Sequence, residues 1–210
     1  ALFTHSLAYS GFFEDPLTWG LVGLASAGGA AFAIARSSVA RATQRMSGWF
    51  GRLPGAPCRV EPIPDFLAAD SPYAYYFPPA PDGSRPGTYF INTADPQTSS
   101  RTEAESIAFH EAIPGHHLQI AISQELEGIP EFQRHEGSTA YVEGWGLYAE
   151  RLADEMGLYS TRLDRLGMLT ADAWRSARLV VDTGLHARGW SRQQAIDYFV
   201  DHTPVPVDQI

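Results

Sequence analysis

Apolar positions in the second half of the chain recur at three and four residues, and polar capping residues punctuate them, so this half reads as a run of helices. One helix is expected to start near Arg101 from a Ser100/Glu103 capping box, with others over about Ser138–Met156 and Ser160–Leu185. A last helix follows Ser191, with Gln194 at the capping-box position, and stops near His202 before Thr203-Pro204. In the first half, Val39, Ala42, Met46, Trp49 and Phe50 give Ser37–Phe50 an amphipathic helical pattern. Six prolines and glycines within residues 51–64 then allow only turns and extended chain. Aromatic and β-branched runs at 73–77 and 87–93, separated by prolines and a Pro81-Asp82-Gly83 turn, read as two short strands of a hairpin or meander. Their prolines push at least one of them to a sheet edge. The expected class is therefore α+β: mainly α with a small antiparallel β-sheet. A boundary in the proline-rich stretch separates an N-terminal helical and apolar segment, 1–50, from a larger domain, 51–210.

Residues 17–35 carry no charge and approach the length that spans a bilayer. Their glycine and alanine content gives only modest hydrophobicity, so a buried or interfacial helix is the preferred reading and a membrane span the alternative.

Composition narrows the partners. The 210 residues carry a formal charge of −9, and 22 of the acids lie in residues 61–210 against ten arginines. An acidic body repels phosphate backbones, which argues against a nucleic-acid partner. Cys58 is the sole cysteine, so an internal disulfide and a cysteine-type zinc site are both ruled out. The chain begins without methionine or a recognisable leader and is read as a piece of a longer protein. Compartment and oligomeric state stay open.

The chemistry concentrates in His110-Glu111-Ala112-Ile113-Pro114-Gly115-His116-His117. Clustered imidazoles and a carboxylate are costly in an ordinary core and point to a divalent metal, with Zn2+ the expected ion. Zinc hydrolases commonly take two histidines one turn apart, with a glutamate beside the first as general base. Here the i+4 position from His110 is Pro114, so the plain spacing fails. A bulge or kink at Pro114-Gly115 absorbs two residues and brings His116 to that place. His117, at i+7 and about 10 Å along an unbroken helix, is the less favoured ligand and is read as a substrate-facing or supporting group. For the third ligand Glu143 is preferred over Glu136 and Glu150, both of which look like solvated surface.

Together with Glu143-Gly-Trp-Gly-Leu-Tyr-Ala-Glu150 and Asp182-Thr-Gly-Leu-His186, this motif resembles the bacterial domain-of-unknown-function 885 family, whose members look like distant relatives of thermolysin-like, glutamate-liganded zinc peptidases. The resemblance covers about residues 37–210. It implies a zincin-like catalytic domain, aligns Gly115-His116 with the Gly-His of related peptidases, and implies that members continue beyond the equivalent of Ile210.

The expected function is a zinc-dependent hydrolase acting on a peptide or small amide. His110, His116 and Glu143 hold the metal and Glu111 is the general base. His186, oriented by Asp182, is the expected oxyanion donor, with Tyr148 a weaker candidate. The strand Thr88–Asn92 is expected to pair with an extended peptide, with Asn92 holding its backbone or terminus. An amidase or esterase on the same ion and a non-catalytic metal-binding domain are the competing readings.

Overall fold

The computed structural model describes residues 27–94, 101–135, 137–207 and 210. Helix α1 (Ala27–Arg45) runs into a 3-10 turn, Met46–Gly48. It begins ten residues before the amphipathic pattern suggested and takes in part of the charge-free segment; residues 17–26 lie outside the described residues. Ala35, Val39, Ala42 and Met46, spaced four, three and four apart, are the buried stripe. Among the described residues no helix is long and apolar enough to cross a membrane.

Strand β1 (Cys58–Pro62), the short helix α2 (Asp65–Ala68) and strands β2 (Ala74–Phe77) and β3 (Gly87–Ile91) follow. The sheet order is β1-β3-β2: β2 pairs with β3 antiparallel, as the hairpin reading expects, but β1 pairs with β3 parallel, Cys58 opposite Gly87 and Pro62 opposite Ile91. The sheet is thus mixed, which corrects the antiparallel expectation. Strand β1 escapes a sequence reading because prolines flank and end it. An edge strand tolerates their missing N–H groups, and β1 lies at an edge. Strand β3 is the central strand, so Thr88–Asn92 offers no free edge to a peptide. The side-chain amide of Asn92 donates to Ala68 O at 2.7 Å and to Ser71 O at 3.4 Å, holding the turn before β2 rather than a ligand.

A 3-10 turn, Arg101–Glu103, leads into α3 (Ala104–Glu111); Ser100, the proposed cap, lies outside the described residues. Then come α4 (His116–Gln124), a short α5 (Glu131–His135) where a loop was expected, α6 (Thr139–Glu155), α7 (Arg162–Ala187) and α8 (Arg192–His202). Polar caps set the last three starts, and the capping box expected at Ser191 and Gln194 is among them. Ser138 accepts from Tyr141 N, Thr161 accepts from Leu163 N and Asp164 N, and Ser191 with Gln194 completes a capping box.

The main core joins α1, the sheet, α3, α4 and α6 through Val39, Tyr89, Ile91, Phe109, Leu118 and Met156. Helix α1 therefore shares one core with the elements that follow the proline-rich stretch. A buried polar node reinforces this: Arg41 donates to Leu158 O at 2.6 Å and to Glu105 at 2.8 Å, and Glu105 also accepts from the Ser160 N–H and hydroxyl. A second, smaller cluster lies between α7 and α8, around Ala177, Val181, Ala195 and Phe199.

Candidate metal centre

The helix carrying His110 does stop at the Pro114-Gly115 step, but as a corner rather than a bulge. Helix α3 ends at Glu111, α4 starts at His116, and the Ile113–Pro114 peptide is cis. Gly115 is pressed onto the preceding turn: a Cβ there would lie 1.8 Å from His110 O. Only glycine fits that approach. The Trp145 indole N–H caps the corner from α6, donating to Pro114 O at 3.0 Å and Gly115 O at 3.2 Å.

The corner sends the two neighbouring histidines in opposite directions. His116 turns towards His110, ring centroids 4.6 Å apart, and its Nε2 lies 3.7 Å from Glu143. His117 is 1% exposed and faces away: Tyr76 Oη lies 2.9 Å from its Nδ1 and Ala56 O lies 3.0 Å from its Nε2. Both ring nitrogens are occupied in fastening α4 to β2 and the proline-rich stretch, so His117 is neither substrate-facing nor free to ligate. Burial pushes its pKa down to about 4, against the smaller opposing pull of its bond to Ala56 O.

His110 Nε2 lies 3.3 Å from Glu143, and His110, His116 and Glu143 each present a donor atom within 4.8 Å of the others. A tetrahedral ion with bonds of about 2.0–2.1 Å separates its ligand atoms by roughly 3.3 Å. The spacing therefore suits zinc. Protonation agrees, since burial and then the neighbouring His110 lower the His116 pKa to about 4 and leave its imidazole a neutral donor.

Of the two α6 carboxylates, only Glu150 departs from its expected place. Glu143 is 56% exposed at the mouth of a cleft. Glu150, expected at the surface, is 2% exposed and lies behind His110, where it accepts from Nδ1 at 2.8 Å, from Ser106 Oγ at 2.7 Å and from Arg175. A carboxylate at Nδ1 holds that nitrogen protonated and leaves the Nε2 lone pair turned to Glu143 and His116. Burial works to lower the His110 pKa, but the hydrogen bond and charge of Glu150 outweigh it and the net shift is upward. The spacing of α6 makes this possible. Glu143 and Glu150 are seven residues apart, two turns on one face, and bracket the imidazole. Gly146 lies between them, and a Cβ there would stand 2.5 Å from His110 Cε1.

Glu111 points into the same cleft. Burial raises its pKa, against the smaller opposing pulls of His110 and of the Tyr76 backbone N–H. The cleft has a volume of about 370 Å³ and is walled by α3 and α6 on one side and by Thr170, Ala171, Trp174 and Arg175 of α7 on the other. His186 and Asp182 do not line it. They are 3.7 Å apart, each more than three-quarters exposed, near the far end of α7. Tyr148 is half exposed and rests on the Trp145 ring. The expected oxyanion donors therefore have no geometric support; Arg175, eleven residues before His186, is the α7 side chain that reaches the site. Glu136 lies outside the described residues.

A family model for bacterial proteins of unknown function, DUF885, matches residues 27–210. The chain belongs to the DUF885 family. A crystal structure described as the "putative lipoprotein" from Colwellia psychrerythraea is similar, with 36% identity and a TM-score of 0.76 over 85% of this chain. The match spans 31% of that protein, so the present chain corresponds to about a third of its length. No curated protein matches the chain.

Proposed function

We propose that this DUF885 chain carries the catalytic domain of a zincin-like, zinc-dependent hydrolase, and that its substrates are peptides. The observation behind this reading is the convergence of His110, His116 and Glu143, with donor atoms within 4.8 Å of one another, beside Glu111, where His110, Glu111 and Glu143 line one cleft. His110 and His116 through their imidazoles and Glu143 through its carboxylate would hold the ion. When bound, zinc supplies Lewis acidity that polarises a carbonyl and lowers the pKa of a water.

The side chains then divide the work. Glu111, with proton affinity raised by burial, takes the proton of the attacking water and returns it to the leaving nitrogen. Glu150 keeps His110 in the tautomer and orientation that the ligand set requires. The corner at Gly115 keeps His116 within reach of Glu143.

The test pairs metal content with turnover. Elemental analysis of the purified chain should find about one equivalent of zinc, and a chelator should abolish hydrolysis of a peptide mixture. Glu111→Gln should retain the zinc and lose about 10²–10⁴-fold in rate. A variant that loses zinc would make Glu111 a ligand, and full activity would remove it from the chemistry.

A further inference from the structure

Glu103 is the one cleft carboxylate that this mechanism leaves without work. It closes the 3-10 turn before α3, seven residues ahead of His110, and so shares the face of that helix that looks into the cleft. Its side chain is half-buried and makes no hydrogen bond or ion pair with any described residue. Its pKa is raised because burial outweighs the more distant attraction of Arg175. A carboxylate at a helix start is ordinary; one partly withdrawn from water inside a cleft, with no donor against it among the described residues, is short of positive charge.

The charge balance of the cleft points the same way. Its described lining holds four carboxylates, Glu103, Glu111, Glu143 and Glu150, and one guanidinium, Arg175, which is already joined to Glu150. A dication among the proposed ligands offsets Glu111 and Glu143. One negative charge is left, at Glu103. The same lining includes the apolar Ile107, Ala171, Trp174 and Val205 beside Ser106 and Thr170.

We infer that the cleft selects substrates bearing a protonated amine next to the scissile carbonyl, the free N-terminus of a peptide with an apolar first residue, and that Glu103 holds this amine. The inference rests on the hydrolase reading for its reaction and on Glu103 alone for its selectivity. An amine two turns along α3 from His110, about 10 Å between the two Cα atoms, lets side chains from both ends meet a single residue of substrate.

Binding of unreactive probes tests it without turnover. L-leucinol and 4-methyl-1-pentanol share one carbon skeleton and differ in the amine; each is titrated calorimetrically into the full chain, zinc-loaded and chelator-treated. Leucinol should bind more tightly, and Glu103→Gln should weaken it about tenfold, the scale of one hydrogen bond to a charged group. The amine-free alcohol should bind equally to both proteins, which also shows that the variant is folded, and Glu103→Asp should retain part of the preference. Equal weakening of both alcohols, or an unchanged leucinol affinity, would overturn the assignment. Tighter binding of Nα-acetyl-L-lysine methylamide than of leucinol would overturn the N-terminal form, since the cation would then come from a side chain. A chain that holds no zinc and hydrolyses nothing, yet discriminates leucinol through Glu103, would remove the hydrolase reading and leave the amine site standing. Zinc-dependent hydrolysis indifferent to N-acetylation would do the reverse.

Discussion

The two walls of the cleft are built differently. One wall, α3 with α4 and α6, is held by backbone approaches so close that only glycine fits at Gly115 and Gly146, and its His110, His117 and Glu150 side chains are tied to partners from several elements. The other wall is a single long helix, α7, whose side chains reach the cleft from its middle while Asp182 and His186 stand in solvent. Chemistry-bearing spacing is informative where the backbone is forced to turn. On an uninterrupted helix, an Asp and a His four residues apart say which face they share but not where that face looks.

The strongest challenge to this contrast is Gly115→Ala. The added Cβ meets the carbonyls of His110 and Phe109, both backbone, so the corner must open. We expect a loss of roughly 3 kcal/mol or more and, on the proposed function, of zinc binding. Thermal melting and metal stoichiometry measure both, and an unchanged melting temperature would show that the corner is looser than described. Next in size is the pair of adjacent histidines. His116→Ala should lose the metal, whereas His117→Ala should keep it and destabilise the fold by about 1–3 kcal/mol by leaving Tyr76 and Ala56 without their partner. The opposite pattern of zinc retention would move the ligand to His117.

Removing the support behind His110 has a smaller effect. Glu150→Gln keeps the shape but loses the charge, and zinc affinity should fall about 10–100-fold, measured by competition with a chelator of known affinity. No change would make Glu150 a purely structural partner of Arg175. The smallest effect belongs to the exposed end of α7. His186→Ala should change stability by less than about 0.5 kcal/mol and leave peptide hydrolysis intact. Loss of an oxyanion donor costs about 10²–10³-fold, so a drop of that size would reinstate His186.

Much of the helical half was legible because its signals are local. Ser138, Ser191 and Gln194 cap the helices they mark, and Thr161 caps the third one residue from the expected start. The parallel pairing of β1 was not, since it depends on a partner some thirty residues away and its prolines argue against a strand. At the site, His110, His116 and Glu143 converge as their spacing suggests. Glu150 was misplaced because its near neighbours in sequence, Arg151 and Asp154, are polar; what surrounds it in space are Ser106, His110 and Arg175. The signal was nevertheless present: two glutamates seven apart with a glycine between them leave room on one helix face for a ring with a nitrogen at each end. Arg175 and Glu103 carry no such pattern, and only the cleft reveals them.

The division into a main core and a small α7–α8 cluster has a consequence for how the molecule comes apart. Separately packed clusters tend to open as separate cooperative units, the smaller first. Amide protons of α8 and the C-terminal half of α7 should therefore exchange with solvent through partial openings that leave α3 and α4 protected. On warming, the far wall of the cleft would be lost while His110, His116 and Glu143 still stand together, so that on the proposed function turnover would fade at a lower temperature than the one at which an ion is released.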